Sequence, residues 1–201
     1  MRLARKLFPR PWPSGGRWEP RGTWRRLGLS GLLALAACQP RAGRQDVREW
    51  VVFAEDFEHL AGWLPPDPTL TTERAHSGRY AVKVDKEHPF SITYRLTLGE
   101  KFMQRPRLMR LSAWVWVTGP DEAAELVLVG NSPDAPPNAP PQVTSQLFLS
   151  DYWPYKRWTY ISRDVPLPPE VSARTGLVVY VWHNAAKDAV FTDDWQLTEI
   201  H

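Results

Sequence analysis

Apolar and polar residues alternate with period two over most of the chain beyond residue 50. Arg79 to Val84 reads RYAVKV, Ser91 to Leu98 SITYRLTL, Leu111 to Thr118 LSAWVWVT, Leu177 to Trp182 LVVYVW, and Val143 to Leu149 and Val190 to Leu197 follow suit. Successive side chains of a β-strand point to opposite faces, so this pattern predicts half-buried strands. Trp50 to Phe53, Glu125 to Val129 and Trp158 to Val165 are rich in β-branched and aromatic residues and join the set. Turn residues separate these runs: His76-Ser77-Gly78, Thr118-Gly119-Pro120, Pro166 to Pro169 and His183-Asn184. The segment 131–142 (NSPDAPPNAPPQ) carries five prolines and reads as a loop. No run longer than about ten residues keeps helical spacing. About nine short strands at regular intervals predict an all-β, two-sheet β-sandwich in a single domain, without internal repeats.

Alternation also sorts the aromatic residues. Leu111, Ala113, Val115 and Val117 share one face of their strand, with Trp114 and Trp116 on the other. Leu177, Val179 and Val181 face away from Val178, Tyr180 and Trp182. The aliphatic sets read as sheet-to-sheet core. That places Trp114, Trp116, Tyr180 and Trp182 together on the outer face of one sheet, a candidate ligand-binding surface. The alternative is that these rings are core, or are covered by the proline-rich loop. Tyr152, Trp153 and Tyr155 (DYWPYKRW) form a second aromatic group, either a binding loop or a plug for one end of the sandwich.

Upstream the pattern changes. Leu27 to Ala37 (LGLSGLLALAA) is apolar and uncharged, follows Arg25-Arg26, and ends at Cys38, the single cysteine. A basic flank, a short apolar core and small residues at its end describe a secretory signal. The core is well short of the ~20 residues that span a bilayer. Leu35-Ala36-Ala37-Cys38 resembles the lipobox of bacterial lipoproteins. That resemblance implies cleavage before Cys38, acylation of its thiol and amino group, and a membrane partner through the lipid. With Gln39 rather than aspartate next to the lipid, it implies outer-membrane residence. The expected layout is therefore a signal peptide over 1–37, a lipidated tether over 38–47 and the sandwich over 48–201.

This layout changes the meaning of the charge. The leader holds eight of the 25 Lys/Arg and one of the 22 Asp/Glu, leaving 17 and 21 in residues 38–201 and a formal net charge of −4. The basic isoelectric point belongs to the leader, so nucleic acid is not an expected partner. One acylated cysteine leaves no disulfide and no thiolate metal site.

Several landmarks occur in order: Glu55-Asp56-Phe57-Glu58, then His76-Ser77-Gly78-Arg79-Tyr80-Ala81-Val82, LSAWVWV, Trp158-Thr159-Tyr160 before Val165-Pro166-Leu167-Pro168, and Val190 to Leu197 (VFTDDWQL). Over residues 50–199 this resembles the galactose-binding-like jelly rolls, which include carbohydrate-binding modules. Asp56 stands where that family's opening has glycine. The resemblance implies a structural calcium joining first and last strands, with Glu58 and Asp193 as carboxylate ligands, a carbonyl from the Ser77-Gly78 turn, and Asp56 and Asp194 in reserve. It also implies a non-catalytic, polysaccharide-binding envelope lipoprotein. The alternative is a scaffolding subunit that binds envelope proteins through the same aromatics. An enzyme is not expected. Asp193 and Asp194 are adjacent and point to opposite faces of a regular strand, a poor pair for glycosidase chemistry. His59, His76, His88 and His183 have no metal-ligand spacing, and neither a nucleophile elbow nor a phosphate loop is present.

Overall fold

The alternating runs form strands β1 (Glu49–Glu55), β2 (Leu70–Thr71), β3 (Ala81–Val84), β4 (Tyr94–Thr97), β5 (Leu108–Trp116), β6 (Ala124–Asn131), β7 (Val143–Phe148), β8 (Thr159–Pro166), β9 (Gly176–His183) and β10 (Val190–Ile200), with a one-turn helix α1 (Leu98–Lys101). The computed structural model describes residues 48–60, 62 and 67–201. The leader, Cys38 and the tether expected from the sequence lie outside these residues.

The strands form two antiparallel sheets, so the protein is the expected two-sheet β-sandwich. The first sheet runs β2-β3-β10-β5-β8, with β1 also paired to β10; the second runs β4-β9-β6-β7. β10 organises the first sheet. One edge pairs with β5 along most of its length, while the other pairs with β3 at Val190–Thr192 and with β1 from Trp195 onward. The change of neighbour falls at a bulge. The β10–β5 register shifts between Asp193 and Gln196, and Asp194 sits at φ 49. Aspartate is among the few residues that tolerate this left-handed conformation.

The core lies between the sheets. Leu111, Ala113 and Val115 of β5 face Leu126 and Leu128 of β6 and Leu177, Val179 and Val181 of β9, all essentially inaccessible to solvent. Trp195 closes one side, its ring edge-on to Phe57 with centroids 5.1 Å apart. The compact unit that contains every described residue has this core entirely between Val52 and Leu197. The inward and outward faces of β5 and β9 are those that alternation predicts. Their sheets are not. β5 belongs to the first sheet and β9 to the second, so Trp114 and Trp116 lie on one outer face of the sandwich and Tyr180 and Trp182 on the other. The four rings cannot form one cleft.

Candidate functional site

The bulge in β10 turns both Asp193 and Asp194 toward the 76–80 turn, where a regular strand would send them to opposite faces. Asp193 is fully buried. The N–H groups of His76 and Ser77 donate to its Oδ2 at 2.7 and 3.1 Å, and the N–H of Asp194 donates to Oδ1 at 2.8 Å. Desolvation pushes its carboxyl up to about 6, against the pull of these three donors. Asp194 lies 2.6 Å from His76 Nδ1 and accepts from Ser77 Oγ at 2.7 Å. Glu58 Oε1 accepts from the N–H groups of Arg79 and Tyr80 at 2.6 and 2.7 Å. Gly78, at φ 55, is required here, because a Cβ would collide with the Glu58 carboxylate.

These residues do not fit the expected calcium. A calcium shell needs six to eight oxygen ligands, yet the turn presents N–H donors to both acids, the opposite polarity. Ser77 contributes its N–H to Asp193 and its hydroxyl to Asp194. Glu58, Ser77 and Asp193 join the ends of the domain through these hydrogen bonds. Among the described residues, the group of three ligand-type side chains within 4.8 Å is instead Glu55, Asp56 and His59. Glu55 there already accepts from the Phe57 N–H at 2.9 Å.

The same turn roofs the outer face of the first sheet. The His76 ring lies flat on Trp114, and the Arg74 guanidinium lies 3.8 Å from the Trp116 ring centre. Trp158 meets both His76 and Trp116 edge-on, and Tyr160 meets Trp114 edge-on. Trp114 and Trp116 therefore have packed faces, not free ones. The second aromatic group divides: Tyr152 and Tyr155 pack against the core, and only Trp153 stands out into solvent.

The outer face of the second sheet is different. Tyr180 and Trp182 are joined there by Phe90, which is 57% exposed. Phe90 and Trp182 have parallel rings, 2° apart with centroids at 6.1 Å, and Tyr180 lies 6.2 Å from Phe90. Main-chain bonding fixes Phe90 beside β9. Ser91 N–H donates to the Val181 carbonyl at 3.0 Å, and His183 N–H donates to the Pro89 carbonyl at 2.7 Å. Across the strand from Trp182 stands Glu125, flanked on its other side by Phe148. Glu125 is buried; its Oε1 accepts from Asn184 Nδ2 at 3.1 Å, and its Oε2 has no partner. Farther along β9 the face opens into a cleft of about 690 Å³, bordered by Arg95, Thr97, Asn131, Arg174 and Val178. From Gly176 to Trp182 the strip is roughly 20 Å long at ~3.3 Å per residue.

Sequence reasoning missed Phe90 and Glu125. Phe90 follows Pro89 and precedes the alternating run, so it reads as a turn residue. Glu125 reads as an ordinary outward polar residue, and its burial comes from the rings of two other strands.

No protein-family model matches this sequence, and neither does any curated protein sequence. Solved structures with a similar course of chain include the CBM22-2 xylan-binding domain of Paenibacillus barcinonensis Xyn10C, at 16% identity and TM-score 0.48, over 74% of this chain and 99% of that one. A family 16 carbohydrate-binding module matches at 16% identity and TM-score 0.44, over 64% and 82%. The Stig cyclase Fisc of Fischerella sp. TAU matches at 14% identity and TM-score 0.40, over 68% and 71%. Likeness at this level transfers neither ligand nor activity to this chain.

Proposed function

We propose that this protein is a non-catalytic, glycan-binding lipoprotein of the bacterial cell envelope, and that it binds through the outer face of the β4-β9-β6-β7 sheet. One observation carries the proposal: the exposed ring of Phe90 and the half-buried rings of Tyr180 and Trp182 stand beside a buried carboxylate, Glu125, whose Oε2 has no partner among the described residues. Aromatic rings take the apolar faces of pyranoses, and a few placed polar groups bond the hydroxyls. A buried acceptor without a donor is costly; Glu125 Oε2 is closed off from solvent, so a ligand hydroxyl restores the missing bond only where the side chains over it move aside. Asn184 and Gln146 add polar groups on the same face. The four-ring surface expected from the sequence gives way to this one, without Trp114 and Trp116. Affinity electrophoresis of residues 39–201 through a panel of polysaccharides tests it.

The envelope assignment rests on the sequence around Cys38. Metabolic labelling with a fatty-acid probe should mark the wild type and leave Cys38→Ala unlabelled and outside the membrane fraction. Equal labelling of both proteins ends the lipoprotein reading.

A further inference from the structure

The end of the sandwich where the chain enters β1 carries a compact set of exposed apolar and basic side chains. The loop after α1 reads Lys101-Phe102-Met103-Gln104-Arg105-Pro106-Arg107. Met103 is as exposed as it would be in an extended chain, and Trp50 of β1 is 47% exposed. Trp50 packs edge-on against Phe102 with centroids 5.3 Å apart, which fixes the loop beside the first residues of β1. Behind Met103 lies an apolar cleft of about 250 Å³, lined by Leu98, Phe102, Pro106 and Val171 among others.

Around these apolar groups stand four exposed cations: Arg48, Lys101, Arg105 and Arg107. The ion pairs among the described residues lie elsewhere. Glu49, next to Arg48 in the sequence, is bonded to Arg110 at 2.8 Å. Arg105 gives one N–H to the Pro168 carbonyl. Glu100 is the one acid in the stretch 98–108, and exposed Glu170 stands between Pro168 and Val171 beside it; four cations against these two acids leave the surface cationic on a domain of negative net charge.

We infer that this surface, formed by Trp50, Phe102, Met103 and the four cations, docks the domain onto an anionic lipid bilayer. Exposed Trp, Phe and Met beside Lys and Arg is the composition that partitions into a headgroup layer: the apolar groups enter, and the cations meet lipid phosphates. The direction of tethering, which rests on the lipoprotein reading, agrees. Ten peptide links separate Cys38 from Arg48 and span at most about 35 Å, so an acyl anchor at Cys38 holds this end of the domain near the membrane. The geometry also keeps the ring cluster of the proposed glycan face away from the bilayer. Thr97, just before α1, pairs with Gly176 at one end of β9, whereas Trp182 lies at the other end, roughly 20 Å away.

Flotation with lipid vesicles tests the inference on unlipidated residues 39–201, independently of Cys38 labelling and of glycan retention. Wild type should float with phosphatidylcholine vesicles containing phosphatidylglycerol, not with phosphatidylcholine alone, and should be released by high salt. At roughly fivefold per basic residue, Lys101→Glu, Arg105→Glu and Arg107→Glu together should weaken binding about a hundredfold or more, and Met103→Glu should weaken it without altering the melting temperature. Wild type that fails to float with anionic vesicles, or floats equally with neutral ones, overturns the inference. So does a triple variant that floats as wild type does. Loss of Cys38 labelling with flotation intact counts against the anchor and leaves the docking surface standing.

Discussion

The His76 imidazole lies flat on Trp114, with centroids 3.8 Å and ring planes 12° apart, and the same imidazole is held by Asp194 at 2.6 Å. This stack covers Trp114 on one of the two outer faces of the sandwich. The bulge in β10 holds the 76–78 turn, and the turn places His76 and Arg74 over Trp114 and Trp116, so these two rings are covered. The opposite sheet carries the exposed ring of Phe90 beside the half-buried Tyr180 and Trp182, while on this face the exposed ring is that of Tyr160.

Truncation should therefore act differently on the two faces. Trp116→Ala leaves Arg74 over a void and should cost about 3 kcal/mol of stability, with polysaccharide retention unchanged in the folded fraction. Melting curves for Trp116→Ala and Trp182→Ala check this. Equal stability losses for the two variants would contradict the assignment of a packed face and an open one.

Asp193 gives a pH signature. Burial holds its carboxyl up at about 6, above the ordinary value of about 3.9, so the folded protein binds that proton more tightly than the unfolded chain. The resulting stabilisation is full below about pH 4 and is lost as pH rises through about 6, an effect on the order of 3 kcal/mol. Asp193→Asn removes the titration. The difference in stability between wild type and Asp193→Asn should change between pH 4 and 7, and parallel pH profiles would count against the shift.

Chelation should have no effect on folding. Glu58 and Asp193 are already bonded to backbone N–H groups of residues 76–80 and of Asp194. An ion bound only by the folded state would raise its stability by mass action. The melting temperature of residues 39–201 should therefore be the same with and without EDTA. A drop on chelation, restored by added calcium, would show that the turn takes a different arrangement around an ion.

Much of the fold is legible in the sequence because period-two alternation is a local property. It identifies Leu111, Ala113 and Val115 as inward and Trp114 as outward without knowledge of any other strand. It cannot say which strands pair. Glu125 beside Trp182 and Tyr160 beside Trp114 are relationships between distant segments, set by how the whole core closes. This is why the four rings read as one surface and are two. The two-residue strand β2 is too short to show a period, and Phe90 owes its place to main-chain bonds from Ser91 and His183. The bulge at Asp194 is a backbone conformation that any Asp-Asp pair in a strand leaves unannounced, and it reverses the expected divergence of the two acids.

The most direct measurement is retention of wild type, Trp182→Ala and Glu125→Gln in affinity gels cast with individual polysaccharides, with a melting curve for each protein. Wild type should be retarded by at least one polysaccharide. Trp182→Ala should lose that retardation while keeping its melting temperature within a few degrees, and Glu125→Gln, which exchanges an acceptor for a donor, should weaken it. Retardation that survives Trp182→Ala unchanged, or a wild type retarded by no polysaccharide, would contradict glycan binding on the β4-β9-β6-β7 face.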